Sequence, residues 1–195
     1  GKGAGARYPG RFPVDSGYFR IHTLEEELEL IRGLNRSTGR WAGVYAEIKD
    51  PDWHRQHDVS LGDRAVGILG DFGYRTRGDG FFIQCFSGGE LRRLRATFGR
   101  DVPLVQLLGE GADIIRAGLS PIAEYANAIG PSITLAWPDR GLVTAAHELG
   151  LLVHPYTFRA DELPPGFTTF AELVSTFADG LGVDGLFTDF PDLVV

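Results

Sequence analysis

Six short apolar runs along the chain have the length and composition of buried β-strands. Patterns typical of amphipathic helices separate each run from the next. This alternation predicts repeated βα units and a parallel sheet, because parallel neighbours need a crossover connection between them. The predicted strands cover residues 43–47, 81–86, 104–108, 128–133, 151–157 and 185–191.

The clearest helix signal is the capping box at residues 23–26, Thr-Leu-Glu-Glu, in which the threonine hydroxyl can accept from the amide of Glu26. Apolar residues follow at helical spacing, and Gly33 predicts the end of this helix. Residues 1–20 predict an irregular arm and residues 50–56 a loop. We expect a single domain over 1–195. The other predicted helices run from the end of the 50–56 loop to residue 70 and over residues 90–95, 119–126, 142–149 and 168–179.

Polar residues stand at the ends of the apolar runs. In a parallel sheet or barrel these ends gather at one edge, where the site lies. A (β/α)8 barrel needs eight strands and about 250 residues, so the chain is short of that fold by roughly two βα units. The polar residues concerned are Glu47 with Lys49, Gln84, Gln106, His154 with Tyr156, and Asp189.

Glu47 and Lys49 lie two residues apart at the end of the first run, so both side chains point to one face. Unpaired buried charges are costly, which makes this pair poor core material. Two interpretations stay open from these residues alone: a salt-bridged strand end, or a wet site at which the charges do chemistry.

Composition excludes some classes of function. The net charge of −7 argues against nonspecific binding to nucleic-acid backbones. No apolar run approaches the roughly 18 residues of a membrane span. The one cysteine, Cys85, rules out an internal disulfide. The chain begins at Gly1 and contains no methionine, so we expect it to be a piece of a longer protein.

With these stretches laid out, the chain resembles the glycerophosphodiester phosphodiesterase family, in particular its bacterial periplasmic type. The resemblance runs from about Tyr8 to the C-terminus. Several short motifs carry it in order: residues 8–13 (YPGRFP), 22–26 (HTLEE), 33–39 (GLNRSTG), 47–49 (EIK), 84–86 (QCF), 154–157 (HPYT) and 185–192 (GLFTDFPD).

The resemblance implies a (β/α)8 barrel of which about six units are present, and a periplasmic or secreted enzyme of lipid and glycerol metabolism. It implies hydrolysis of glycerophosphodiesters to glycerol 3-phosphate and an alcohol, assisted by a divalent metal, usually calcium. Glu47 matches a metal ligand, in keeping with the preference of hard cations for carboxylates. Lys49 matches a catalytic lysine that faces the phosphate, while Phe86, Tyr156 and Phe190 match residues that wall the substrate site.

The family's His-Arg-Gly and Glu-x-Asp motifs do not occur in the chain. We expect them upstream of Gly1, with the acid–base histidines and most metal ligands, so this piece is expected to be inactive alone. The alternative is a non-catalytic module that binds a phosphorylated ligand or assembles with a partner through open sheet edges.

Three further residue groups allow competing interpretations. His54 and His57 could form a metal-like pair, but a solvated loop is favoured because no further ligands follow at suitable spacing. Cys85 is expected to be a small buried hydrophobe. Asp189 could orient Lys49 or cap a turn, and the sequence does not choose between these roles.

Overall fold

The computed structural model describes Tyr8, Arg11 and residues 20–109, 118–137 and 140–194. The chain divides into two compact units, residues 1–40 and residues 41–195. The arm predicted over 1–20 lies almost wholly outside the described residues, and the prediction of one domain over 1–195 stays a prediction.

The first unit contains helix α1, Leu24–Thr38, and its predicted capping box is confirmed. The Glu26 amide donates to the Thr23 hydroxyl at 3.2 Å, and the Thr23 amide donates to the Glu26 carboxylate at 3.0 Å. The predicted stop at Gly33 is wrong. The helix continues to Gly39, whose φ of 66° provides the left-handed termination that glycine adopts without strain.

The second unit is built on a five-stranded sheet in which every strand pair is parallel and strand order follows chain order. The runs predicted as strands one to five all contribute to it, so the predicted α/β architecture is confirmed. The strands are β1 Val44–Glu47, β2 Phe81–Cys85, β3 Leu104–Leu108, β4 Ala128–Pro131 and β5 Leu152–Val153.

The sixth predicted strand, residues 185–191, is an irregular extension of this sheet and not a regular strand. One parallel bridge joins Thr188 to Phe158. The Phe187 amide donates to the Pro155 carbonyl at 3.0 Å, and the Phe158 amide donates to the Phe187 carbonyl at 2.8 Å. Pro155 has no amide hydrogen, so a continuous ladder cannot form beyond β5.

Helices connect the strands, as the alternation predicts. The prediction of a loop over 50–56 is wrong, because Pro51 starts a short helix with the φ that its ring already fixes. The last helix begins at Phe170, two residues after its predicted start, and changes to π-helical geometry over Thr176–Leu181. The α-helices are α2 Pro51–Arg55, α3 Leu61–Asp71, α4 Gly88–Phe98, α5 Ser120–Ala123, α6 Ile133–Ala136, α7 Gly141–Glu148 and α8 Phe170–Ser175.

The main core lies between the sheet and the helices that pack on it. Helix α4 contacts β2 and β3, and α7 contacts β5. Leu91 and Leu94 of α4 and Ile83 and Leu104 of the strands are fully buried there. Among the described residues, no helix combines the length and the apolar character that a membrane span requires.

A buried carboxylate ties α2, α3 and α4 together. Glu90, on α4, is 1% exposed and accepts from Arg93 at 2.8 Å and also from Arg55. Arg93 donates in turn to Asp63 of α3 at 2.8 Å. The Arg93 guanidinium holds the pKa of Glu90 below its ordinary value, with Arg55 adding to the effect and burial opposing it. Glu90 is therefore an ionised structural residue.

We expect Glu90→Gln to lower the free energy of unfolding by about 3 kcal/mol, since it leaves buried cationic contacts without their counter-charge. Urea denaturation measures this loss. The matched control is Glu29→Gln, which removes an exposed ion pair with Arg32 and should cost less than about 1 kcal/mol. Equal effects of the two variants would contradict the structural role of Glu90.

Candidate active site

The pairing register decides which side chains meet on the inner face of the curved sheet. Glu47 is the neighbour of Gln84, and Gln84 is the neighbour of Val105. Side chains alternate along each strand, so Tyr45, Glu47 and Lys49 share a face with every second residue of β2. That face carries Phe82, Gln84 and Phe86 at the same levels.

An aromatic layer forms the floor beneath the carboxyl edge. The ring of Tyr45 stacks on Phe82 with centroids 5.1 Å apart and meets the edge of Phe187 at 4.7 Å. The Tyr45 hydroxyl lies 2.9 Å from Nδ1 of His154. These contacts join the first strand of the sheet to the last segment of the chain, so the sheet curves around a filled interior.

His154 is held neutral within this layer. Burial lowers the pKa of its imidazole, with Asp184 opposing the shift and Arg77 adding to it. A neutral imidazole leaves Nδ1 able to accept the hydrogen bond from the Tyr45 hydroxyl. His154 is 7% exposed and therefore belongs to the floor, below the polar strand ends.

A cavity of about 320 Å³ opens above the aromatic floor. Its walls bring together residues from β1, β2, β3 and the segments after β5, as the gathering of strand ends predicts. The lining includes Glu47, Lys49, Gln84, Phe86, Tyr156 and Asp189, together with Leu107, Thr157, Phe187 and Thr188.

Glu47 and Lys49 both line this cavity and are only loosely paired. The Lys49 Nζ lies 3.9 Å from Oε2 of Glu47, and the lysine side chain is 74% exposed. Both residues, with Phe86, also line a second hollow of about 460 Å³ on the side of α2. A ligand that occupies both hollows would pass directly over the Glu47–Lys49 pair.

Two of the predicted aromatic walls are present at the cavity. Phe86 and Tyr156 pack edge to face, with ring centroids 6.0 Å apart. Phe190 is not among the described residues that line this cavity. The centroid of its ring lies 6.2 Å from that of Phe170. The role of Phe190 as a substrate wall stays a prediction.

The prediction that all polar strand ends face the site is wrong for Gln106. Its neighbour in the register is Cys85, so it points to the helical side of the sheet. There the Tyr125 hydroxyl donates to its side-chain oxygen at 2.7 Å, and its amide donates to the Phe86 carbonyl at 2.9 Å. Its neighbours along β3, Val105 and Leu107, point the other way and share the inner face with Gln84.

The remaining candidates take structural positions. Asp189 accepts from Nε of Arg159 at 2.9 Å, a partner that the sequence did not indicate. Cys85 is buried as expected, and burial raises the pKa of its thiol to about 11. Nδ1 of His57 lies 2.8 Å from the Trp53 carbonyl, and the two rings are 4.3 Å apart, so this histidine is engaged within α2 and its end.

Comparison with known proteins identifies the family. The profile of the glycerophosphoryl diester phosphodiesterase family matches residues 4–193. The chain belongs to this family. A glycerophosphodiester phosphodiesterase of Haemophilus influenzae is 32% identical over 219 residues, covering 95% of this chain and 60% of that protein. One from Treponema pallidum is 31% identical over 222 residues, covering 96% and 62%.

The fold is shared with solved phosphodiesterases of the family. A crystal structure of a glycerophosphodiester phosphodiesterase from Parabacteroides distasonis superimposes with a TM-score of 0.62 at 16% identity, over 88% of this chain and 61% of that one. The chain thus spans about three-fifths of the length of these relatives. The TIM-barrel-like fold expected from the sequence is confirmed.

The phosphodiesterase family is generally metal-dependent. Among the described residues, no group of three or more His, Cys, Asp or Glu side chains is placed to hold an ion. At the cavity, Glu47 offers a carboxylate, whereas Asp189 is engaged by Arg159. A calcium ion takes six to eight oxygen ligands, so the described residues alone do not fit a calcium site.

We expect the imidazole of His154 to titrate below its ordinary value of 6.5, because burial disfavours the charged ring. A depressed pKa means that its contribution to stability is complete above pH 6.5 and is lost as the pH falls through the folded-state value. A ¹H–¹³C NMR titration of the ring measures the midpoint.

Tyr45→Phe is the control for this titration. Burial is the first cause of the shift, so the midpoint should stay low when the tyrosine hydroxyl is removed. A midpoint at or above 6.5 in the folded, unaltered protein would contradict the buried neutral assignment.

Proposed function

We propose that the protein to which this chain belongs hydrolyses glycerophosphodiesters to glycerol 3-phosphate and an alcohol, with calcium as the assisting metal. One observation carries the proposal: the Glu47–Lys49 pair lines a cavity together with Phe86 and Tyr156, in a member of the phosphodiesterase family. The relatives from Haemophilus influenzae and Treponema pallidum bear the name of this activity.

The charges that line the cavity suit an anionic diester. In this proposal Lys49 is the catalytic cation that faces the phosphate, since its ammonium is exposed and held only at 3.9 Å by Glu47. Glu47 serves as one carboxylate ligand of the calcium ion, which would neutralise phosphate charge when bound. Phe86, Tyr156 and Phe190 pack against the carbon chain of the glycerol moiety.

The described residues do not complete the metal shell, and the chain has neither a His-Arg-Gly nor a Glu-x-Asp motif. We therefore propose that the 195-residue chain is inactive alone and that a longer form carrying both motifs is the hydrolase. The same absence favours a second candidate, a non-catalytic module that binds a phosphorylated ligand at Lys49.

A coupled assay for released glycerol 3-phosphate, run on the 195-residue chain and on the longer form, tests this proposal. Activity is expected from the longer form with calcium. In that form Glu47→Gln should weaken calcium binding at least about tenfold by calorimetry, because it removes a charged ligand without leaving a cavity. The melting temperature should change little, since the side chain is at the strand tip.

The matched control is Glu148→Gln, the same substitution on the exposed surface of α7. It should leave calcium affinity and turnover unchanged. Unchanged calcium affinity in Glu47→Gln, or activity of the 195-residue chain that Glu47→Ala abolishes, would overturn the assignment of roles. Binding of glycerol 3-phosphate without turnover in any form would favour the non-catalytic module.

We further propose that the chain alone associates through the outer edge of β1. Within the described part of the chain, β1 pairs with a strand on one side only, and unpaired strand edges act as templates for association. Size-exclusion chromatography should show oligomers of the 195-residue chain and a monomer of the longer form. A monomeric 195-residue chain at high concentration would contradict this. The resemblance also supports a periplasmic or secreted location, which cell fractionation tests.

A further inference from the structure

Gln84 holds a buried polar atom that nothing in the fold uses. The residue is 7% exposed, and its Oε1 is the one buried side-chain oxygen or nitrogen without a hydrogen-bond partner among the described residues. An unpaired buried acceptor costs free energy that a sequence could recover with an apolar residue of similar shape. Such a group calls for an explanation outside the fold.

The contrast with Gln106 shows that the fold does satisfy buried amides elsewhere. Gln106 is 5% exposed and lies on the neighbouring strand, yet both ends of its amide are hydrogen-bonded. Its oxygen accepts from Tyr125 at 2.7 Å, and its nitrogen donates to the Phe86 and Leu107 carbonyls at 2.9 Å each. Gln106 is thus a structural glutamine, whereas Gln84 lacks that role.

The position of Gln84 suggests a role for its unpaired oxygen. It is the register neighbour of Glu47 on the same face of the sheet, and it lines the 320 Å³ cavity with Phe86, Leu107 and Tyr156. The lining around it combines these carbon surfaces with polar groups such as Thr157 and Thr188. A primary amide both donates and accepts, which matches a hydroxyl group, whereas the adjacent Glu47 carboxylate disfavours an anion at this point.

We infer that Gln84 is a specificity-determining residue whose side-chain amide recognises a hydroxyl group of the substrate's polyol moiety. This inference rests on the proposed function and deepens it. The phosphate of the ligand would lie at Lys49 and its neutral carbon chain between the aromatic walls. Gln84 then selects a hydroxyl-bearing chain over a bare alkyl chain of the same size.

The first measurement is the thermal stability of Gln84→Met and Gln106→Met, two equal substitutions at buried glutamines on adjacent strands. Gln84→Met should raise the melting temperature, because it removes an unpaired acceptor while keeping the volume. Gln106→Met should lower it, because it breaks the hydrogen bonds that both ends of the amide make. A fall in melting temperature for Gln84→Met would overturn the inference by showing that this amide supports the fold.

The second measurement compares binding of glycerol 3-phosphate and 1-propyl phosphate, which differ only in the two hydroxyls. By calorimetry the longer form with calcium should bind glycerol 3-phosphate more tightly than propyl phosphate. In that form Gln84→Met should reduce the ratio of the two affinities roughly fivefold, while the affinity for propyl phosphate stays the same. An unchanged preference in Gln84→Met overturns the inference and leaves the proposed function intact.

Two other outcomes separate the remaining possibilities. If the longer form with calcium binds neither phosphate, the proposed function fails and this inference fails with it. If Gln84→Met weakens calcium binding and leaves the preference between the two phosphates unchanged, the amide oxygen is a metal ligand and hydroxyl recognition is overturned.

Discussion

The in-register parallel pairing of β1 with β2 determines which side chains can act together in this protein. Pairing Glu47 with Gln84 places Tyr45 level with Phe82, so a floor of aromatic rings lies directly below the polar strand ends. A shift by one residue would exchange every inward side chain for an outward one. The burial of Tyr45, Phe82 and Phe187 against each other makes such a shift costly, and it thereby fixes the site above them.

The strand pattern, the parallel topology and the capping box of α1 are predictable from the sequence because they depend on local periodicity and short motifs. Two predictions are wrong because they depend on features that local periodicity does not show. The helix at Pro51 depends on a left-handed residue, Asp50, with φ of 46°, which apolar periodicity does not reveal. The irregular sixth segment depends on where Pro155 falls in a ladder whose register is set by distant residues.

The candidate site was predictable in composition but not in orientation. Glu47, Lys49, Phe86 and Tyr156 do line one cavity, as the gathering of strand ends indicates. Gln84 and Gln106 look alike in the sequence, since each follows a run of apolar residues. The structure separates them because a side chain's face depends on its parity within the paired strands, which requires the true strand start. Asp189 and Phe190 lie within the irregular segment 185–191, where side chains do not alternate as they do along a regular strand.

Glu90, Asp189 and Glu47 differ in how their negative charge is neutralised, and this difference distinguishes the structural carboxylates from the one at the candidate site. Glu90 and Asp189 each accept from an arginine within 3.0 Å, a geometry that fixes both partners. Among the residues that the structure describes, Glu47 is paired only with the ammonium of Lys49 at 3.9 Å, a flexible group that water can replace. A carboxylate so weakly held at a strand tip keeps its capacity to bind a further cation, and Lys49 keeps its capacity to face an anion. Under the function proposed above, a metal-bound phosphodiester would occupy the place beside this pair.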